Sequence, residues 1–162
     1  MANTRKMKII FLDIDGVLNY EALTRTASWN LEKPETMLCP QAVARLNTII
    51  EKTGAKVIIT STWKDHFKLE EIATAFKSKG FAGEIIGSTE SRALSSRADE
   101  IGKWLAKQLD MESFAILDDM TNFGMLSDFH VCTAFKNGLT DSDAQKAIAI
   151  LQQWSTQGND RR

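Results

Sequence analysis

Short apolar runs of strand length separate the amphipathic segments of this chain, and this alternation constrains its fold more than any other feature. The runs Met7–Leu12, Lys56–Thr60 and Ser113–Leu117 are almost entirely apolar. A strand that is apolar on both faces has to be buried on both faces, which is typical of parallel sheets covered by helices. Because such runs alternate with helical stretches, we expect an α/β fold, with a Rossmann-like three-layer α/β/α arrangement around a mainly parallel sheet.

Four amphipathic stretches predict the helices that cover this sheet. Residues typical of helix ends mark their limits: Pro40 and Gly54 for the first, Gly80 after the second, Ser95 or Ser96 before the third, and Thr140 with Asp143 at the start of the fourth. The third helix is expected to turn Leu109 inward. Short strands are expected around Glu84–Ile86 and, at an edge, at Phe129–Cys132. Residues 19–39 show no clear periodicity and are expected to form a loop or small flap.

Length and composition are those of one soluble globular domain. The 162 residues can bury a sizeable core, and 43% hydrophobic with 25% charged residues is an ordinary balance. We expect a single domain over residues 1–162, with its core at about 7–154 and a polar tail at 155–162. No apolar stretch has the length of a membrane span. Cys39 and Cys132 lack a metal-site spacing and are expected to be packed, reduced thiols, which indicates a cytoplasmic protein.

The charge balance excludes one class of function. The formal net charge is -1, and lysine and arginine are not clustered into a basic patch. Proteins that bind nucleic acids tightly without sequence preference usually have such a patch. We therefore expect no strong nonspecific nucleic-acid binding, although the phosphorylated end of a nucleic acid remains an acceptable substrate.

The segment after the first predicted strand carries the strongest chemical signal. Asp13 and Asp15 follow the apolar run, and their spacing of two predicts that both project from the end of the strand. Two adjacent buried carboxylates need a compensating cation, and Mg²⁺ prefers oxygen ligands of this kind. Gly16 would allow the sharp turn that follows. A solvated acidic turn could explain Asp-x-Asp alone, but the apolar run before it and the Gly-Val-Leu-Asn sequence after it favour a metal and phosphate site.

Two other strand ends are expected at the same edge of the sheet. Asp118 and Asp119 follow the third apolar run, and Thr60 with Ser61 end the second. The carboxyl ends of parallel strands line a common crevice, so these side chains should converge with the first acidic pair. A phosphoryl group there would also need a cationic side chain, for which the candidates are Arg97 and Lys103.

This succession of motifs resembles the haloacid dehalogenase (HAD) superfamily. In that superfamily an Asp-x-Asp strand end, a threonine or serine strand end, a lysine or arginine, and an acidic strand end follow one another. Within the superfamily, the chain resembles more closely the small bacterial and phage proteins grouped with the HAD domain of Swiss Army Knife RNA-repair proteins. The segments that carry this resemblance are Phe11–Asn19, Val57–Lys64, Arg97–Leu105, Ile116–Asp119 and Gly138–Leu151.

The resemblance implies a Mg²⁺-dependent phosphatase. Asp13 would attack phosphorus to form an aspartyl-phosphate, and Asp15 would protonate the leaving oxygen and later activate water. The metal would be held by Asp13, the Asp15 carbonyl, and Asp118 or Asp119. Thr60, Ser61 and Arg97 or Lys103 would hold the phosphoryl oxygens. Dehalogenases of the superfamily lack the second aspartate and its ion-pumping ATPases carry threonine there, so Asp15 favours hydrolysis of a phosphate ester.

Two other functions remain open at this point. A catalytically silent HAD-fold binding module would keep the fold, although loss of Asp13 or Asp15 would be typical of one and neither is lost. A phospho-receiver signalling domain also has an α/β fold and a phosphorylated aspartate. In receivers, however, the acidic pair lies at the first strand and the acceptor at the third, which is the reverse of the order in this chain.

The substrate is predicted only as a class. Residues 19–39 are too few for a large cap domain, so the site should be open to a phosphorylated small molecule, a nucleotide or a nucleic-acid end. Trp29 and Trp63 could line such a site, but large aromatic residues are more typical of packing.

Overall fold

The computed structural model describes residues 6–26 and 31–157, with no side-chain description for 154–157. The strands in these ranges are β1 (Met7–Leu12), β2 (Lys56–Ile59), β3 (Ile85–Ser88), β4 (Met111–Asp118) and β5 (His130–Cys132). The helices are α1 (Glu21–Thr26), α2 (Pro40–Thr53), α3 (Leu69–Ser78), α4 (Arg97–Ala106) and α5 (Asp141–Gln157), with 3-10 turns at Pro34–Met37, Thr62–Asp65 and Gly124–Phe129.

The five strands form one parallel sheet in the order β3-β2-β1-β4-β5. This confirms the predicted α/β fold and the Rossmann-like arrangement. The order also argues against a phospho-receiver domain, since folds of that type have the order 2-1-3-4-5. β1 lies at the centre, between β2 and β4, which explains why its sequence is apolar on both faces.

Helices cover both faces of the sheet and give it three layers. Along β1, Ile10 and Leu12 pack into a large core with α2, α3 and α5, whereas Ile9 and Phe11 pack into a smaller core beneath α4. The ring of Trp104 on α4 meets that of Phe11 edge to face, with centroids 5.3 Å apart. The period of two along the strand therefore assigns alternate side chains to two different cores.

Four local expectations need correction. Residues 19–39 contain α1 and the turn Pro34–Met37, rather than a loop alone. Leu109 is 96% exposed because α4 ends at Ala106, before it could turn this side chain inward. Cys39 is buried as expected, but Cys132 is exposed. α5 continues to Gln157, into the predicted tail, and residues 158–162 lie outside the described ranges.

The connections of the sheet determine where a ligand can bind. The chain leaves β1 towards α2 on one face, and it enters β4 from α4 on the other face. The carboxyl ends of β1 and β4 therefore border a crevice that the connections leave open, which is the usual ligand site in folds of this type. Over the ranges that the structure describes, no helix combines the length and the apolar character needed to cross a lipid bilayer.

Candidate active site

Backbone hydrogen bonds carry the sheet one residue beyond the ends of its central strands. The amide of Asp13 donates to the carbonyl oxygen of Leu117 at 2.9 Å. The amide of Thr60 donates to the carbonyl oxygen of Leu12, also at 2.9 Å. Asp13 is thus held in line with the sheet between the ends of β2 and β4. These contacts bring the predicted strand-end residues to one edge, as expected from the parallel pairing.

Three carboxylates meet at this edge. Asp13, Asp118 and Asp119 each offer an oxygen within 4.8 Å of the others. Asp118 is fully buried and Asp13 is 5% exposed, while Asp119 is partly exposed. Gly16, with φ +82°, lets the chain turn beside them, and a Cβ atom there would overlap the carboxylate of Asp119. The acidic cluster therefore requires glycine at this position for reasons of space as well as conformation.

Arg97 neutralises part of this cluster. Its Nη1 lies 2.7 Å from Oδ2 of Asp118 and 3.2 Å from Oδ2 of Asp13. The residue opens α4, whose start is fixed by a capping box in which Ser96 and Asp99 each bond the other's backbone amide. The helix start thus directs the guanidinium into the crevice from the side opposite to α2.

Lys103, the alternative cation, lies elsewhere on α4. It is exposed and lines a separate cleft with Glu90, Trp104 and Lys107. Among the described residues, Asp13 and Asp118 form their ion pairs with Arg97 and not with Lys103. The helix places the two candidates on different faces, and only Arg97 reaches the cluster.

The cluster carries more negative charge than Arg97 can balance. Burial, followed by the neighbouring carboxylate of Asp118, raises the pKa of Asp13 to about 8, although Arg97 opposes this. Burial and Asp118 also raise the pKa of Asp119. Both shifts have the same cause, since a carboxylate away from water and beside like charges is costly to ionise. A divalent cation would remove that cost, and an all-oxygen donor set is what Mg²⁺ prefers.

The two hydroxyl residues that follow β2 have different surroundings. Thr60 is fully buried, and its Oγ1 is the one buried side-chain oxygen in the described residues without a hydrogen-bond partner. Buried hydroxyls nearly always form a hydrogen bond. The hydroxyl of Thr60 is therefore suited to donate one to an oxygen of a ligand bound at the same edge. Ser61 is also buried, but its Oγ accepts from the amide of Trp63 and caps the turn Thr62–Asp65.

The carboxylate of Asp15 is not part of the acidic cluster. β1 ends at Leu12, so the chain is already turning at Asp15 and the alternation of a strand no longer applies. Instead, Oδ1 of Asp15 accepts a hydrogen bond from Nδ2 of Asn19 at 2.8 Å. The indole Nε1 of Trp63 lies 3.3 Å from Oδ1 and 3.2 Å from Oδ2. The two aspartates are thus close in sequence but have separate environments.

Sequence reasoning assigned no role to Asn19 or Lys64 at this edge, and it named Trp63 as a possible lining residue whose more typical role would be packing. Asn19 and Trp63 both contact Asp15. Trp29 lies outside the described residues. Lys64 is also nearly buried, and its Nζ donates to the carbonyl of Thr60 at 2.9 Å and to Oε2 of Glu100 at 3.2 Å. The sequence signal that could have identified these residues was their position within the motif segments, shortly after the strand-end residues.

A cleft of ≈ 480 Å³ opens beside the cluster. Its lining includes Thr60, Lys64, Arg97 and Glu100, together with the hydroxyl residues Thr62, Ser91, Ser95 and Ser96. The cleft thus borders the cluster on the side that carries Arg97.

Comparison with protein families identifies one match over most of the chain. The family model described as the HAD domain in Swiss Army Knife RNA repair proteins matches residues 9–144. That range includes the acidic cluster, Thr60 and Arg97, as well as Asp15 with its two donors. Comparisons with curated proteins and with solved structures gave no match.

Proposed function

Because the chain belongs to the family of HAD domains found in Swiss Army Knife RNA repair proteins, we propose that it is a Mg²⁺-dependent phosphohydrolase that cleaves phosphate monoesters through an aspartyl-phosphate. The family supports phosphohydrolase chemistry at the level of the superfamily. The metal, the covalent intermediate and the role of each residue are our proposals.

The observation that carries this proposal is the juxtaposition of a carboxylate nucleophile with groups suited to a phosphate. Asp13 lies within the acidic cluster, and Arg97 bridges it to Asp118. The buried hydroxyl of Thr60 follows the neighbouring strand and has no partner among the described residues. A phosphoryl group bound there would meet a nucleophile, a guanidinium and a hydroxyl donor, which matches the electrostatic needs of phosphoryl transfer.

The reaction would proceed in two steps on the protein's own carboxylates. In the first, an oxygen of Asp13 forms a bond to phosphorus while the bond to the leaving oxygen breaks, and Asp15 gives that oxygen a proton. In the second, Asp15 takes a proton from water and the water oxygen bonds to phosphorus while the bond from phosphorus to Asp13 breaks. Inorganic phosphate leaves, and the carboxylate of Asp13 is regenerated. Arg97 and Thr60 would stabilise the charge on the phosphoryl oxygens in both steps.

The donor set at this edge fits a divalent metal. Asp13, the carbonyl of Asp15, and Asp118 or Asp119 would hold Mg²⁺, as the family pattern implies. When bound, the metal would supply positive charge that compensates the carboxylates and polarises the phosphoryl group. Asp118 already accepts hydrogen bonds from Arg97 and, through Oδ1, from the amide of Met120, which holds its carboxylate in one orientation.

The substrate class follows from the openness of the site. Between β1 and α2 the described chain forms only α1 and the turn Pro34–Met37, and neither has the size of a cap domain. A phosphorylated small molecule, a nucleotide or a nucleic-acid end could therefore reach the cluster. Without a basic patch, the chain is suited to contact the end of a polynucleotide rather than its length.

The direct test is hydrolysis of p-nitrophenyl phosphate with Mg²⁺, followed by a screen of nucleotides, sugar phosphates and 3′- or 5′-phosphorylated oligonucleotides. Asp13→Asn should lower kcat on the order of a thousandfold or more, because the amide has the shape of the carboxylate but cannot attack phosphorus. EDTA should abolish turnover, and added Mg²⁺ should restore it. Asp128→Asn, which makes the same change at an exposed position, is the matched control.

Each part of the proposal has its own contradicting outcome. Turnover by Asp13→Asn that is comparable to that of the wild type would rule out Asp13 as nucleophile. Full activity after exhaustive EDTA treatment would rule out the metal requirement. Absence of turnover on every ester in the screen, with folded protein and Mg²⁺ present, would favour the alternative of a catalytically silent binding module.

A further inference from the structure

We propose that Asn19 and Trp63 are positioning residues that hold Asp15 in the orientation needed to protonate the leaving group. This inference rests on the proposed function and deepens it. It concerns two side chains that neither the sequence motifs nor the family match assigns to a role.

Trp63 presents a fixed donor to Asp15. Its side chain is fully buried, and its ring packs against Phe67 with centroids 5.4 Å apart. Its backbone amide donates to Oγ of Ser61, which caps the turn Thr62–Asp65. A buried indole N–H needs an acceptor, and this one lies almost equidistant from the two oxygens of Asp15, at 3.3 and 3.2 Å. The buried, packed ring therefore restricts rotation of the carboxylate.

Asn19 supplies a second donor whose direction is also determined. Its Oδ1 accepts from the backbone amide of Gly16 at 2.9 Å, and its Nδ2 donates to Oδ1 of Asp15 at 2.8 Å. If the oxygen and nitrogen of this amide group were exchanged, its NH₂ would face the amide N–H of Gly16, and its oxygen would face the carboxylate of Asp15. Neither contact would be a hydrogen bond. Because Asn19 is fully buried, its amide group is fixed by these two hydrogen bonds.

The two donors explain why neighbouring aspartates can serve different tasks. Asp13 faces Arg97 and the carboxylates, whereas Asp15 is bound by neutral N–H groups and stays outside the acidic cluster. Oδ1 of Asp15 accepts from Asn19 and shares the indole N–H of Trp63 with Oδ2, so among the described contacts Oδ2 is the oxygen more open to a leaving group. Proton transfer requires such an atom within hydrogen-bond reach of the leaving oxygen, so a free carboxylate would lose much of its effect.

A purely structural role would have a different kinetic signature. Aryl phosphates such as p-nitrophenyl phosphate depart as stable anions and need little protonation, whereas alkyl phosphates such as glycerol 2-phosphate depart as strongly basic alkoxides unless they are protonated. Loss of a positioned acid therefore slows alkyl esters selectively. Loss of packing lowers the fraction of active protein and slows both esters equally.

The test measures kcat/KM for both esters, with Mg²⁺ present, in wild type and Trp63→Phe. General acid catalysis contributes about 10²- to 10⁴-fold, so a misplaced Asp15 should lower the alkyl rate at least about tenfold more than the aryl rate. In an Asp15→Asn background, Trp63→Phe should cause no further selective loss, since the group that it positions is absent. Trp104→Phe is the matched control, because Trp104 packs on Phe11 beneath α4 and should affect both esters alike.

Asn19→Asp provides an independent variant that leaves the indole in place. It retains the acceptor for the Gly16 amide but replaces the donor to Asp15 with a carboxylate oxygen. The same selective loss on glycerol 2-phosphate is expected. It would separate positioning of Asp15 from the packing of Trp63, even if Trp63→Phe does not fold.

The outcomes distinguish this inference from the proposed function. Equal losses on both esters in each folded variant, with an active wild type, would overturn the positioning role alone. A wild type that hydrolyses neither ester would overturn the proposed function and this inference with it. A selective loss in either variant, absent from Trp104→Phe, supports the inference.

Discussion

Replacing Asp119 by asparagine should make the metal-free protein more stable. Without a metal ion, the negative charge of the acidic cluster is only partly balanced by the positive charge of Arg97. Asp119 lies within 4.8 Å of both Asp13 and Asp118, and Arg97 is the cation that bridges the latter two. Asparagine has the shape of aspartate and fits beside Gly16, so the change removes charge without removing volume.

The expected gain follows from the separations in the cluster. At 4.8 Å, one pair of like charges costs about 3.5 kcal/mol at an effective dielectric constant of about 20. When Asp13 is ionised, Asp119 is repelled by two carboxylates, those of Asp13 and Asp118, and attracted by one guanidinium, that of Arg97. The net repulsion on Asp119 is therefore about that of one pair of like charges. Because Asp119 is partly exposed and therefore screened by solvent, we expect a gain of about 1–2 kcal/mol, or about 2–8 °C in Tm for a chain of this size.

The pKa of Asp13 gives this prediction a pH dependence. Burial and Asp118 raise that pKa from 3.8 to about 8, so between these values the folded protein keeps a proton that the unfolded chain releases. Stability of the metal-free protein should therefore fall as pH rises from about 4 to about 8. At pH 5 Asp13 is protonated and repels Asp119 little, so Asp119→Asn should then stabilise much less than at pH 8.5.

The assay is urea or thermal denaturation of wild type and Asp119→Asn at both pH values, with EDTA and with Mg²⁺. Mg²⁺ should stabilise the wild type by binding the folded state, and it should stabilise Asp119→Asn less, since a ligand has been removed. Asp128→Asn controls for a general effect of losing one acidic group. A variant that is no more stable than wild type at pH 8.5 in EDTA, or that gains as much at pH 5, would refute this account of the cluster.

Two further predictions concern the phosphate-binding groups. Arg97→Ala should lower kcat/KM far more than Lys103→Ala on the same ester, and a larger kinetic loss for Lys103→Ala would reverse the assignment. In EDTA, Arg97→Ala should also lower the free energy of unfolding by about 3–5 kcal/mol, because Asp13 and Asp118 lose their cation. Thr60→Val should lower kcat/KM yet raise stability by about 1 kcal/mol, since it removes an unpaired buried hydroxyl. Thr133→Val is the control and should destabilise the protein, because the buried hydroxyl of Thr133 donates to the carbonyl of Gly16 at 2.7 Å. Loss of stability in both variants would contradict the role given to Thr60.

The local elements of this protein could be read from its sequence because each depends on neighbouring residues. The run at β1 is apolar at every position that enters a core, and Gly54 ends α2 in the left-handed conformation expected of a helix-ending glycine. Ser96 caps α4 as one of the two predicted serines. The errors occurred where local signals were weak, as at Leu109, where the helix ended earlier than its apolar stripe suggested.

The sequence by itself determined that acidic and hydroxyl residues end three buried strands, and parallel pairing then requires those ends to share an edge. Only the tertiary structure decided which side chains meet there. Arg97 and Asp118 are 21 residues apart, and Trp63 and Asp15 are 48 apart, so their contacts depend on strand order and on the face from which each segment approaches. Spacing along a strand predicted a common direction for Asp13 and Asp15, but the strand had already ended, and the donors on Trp63 and Asn19 determined where Asp15 lies. Local periodicity is a property of neighbouring residues, whereas a partner for a buried polar group can come from any part of the chain that the fold brings within hydrogen-bond distance.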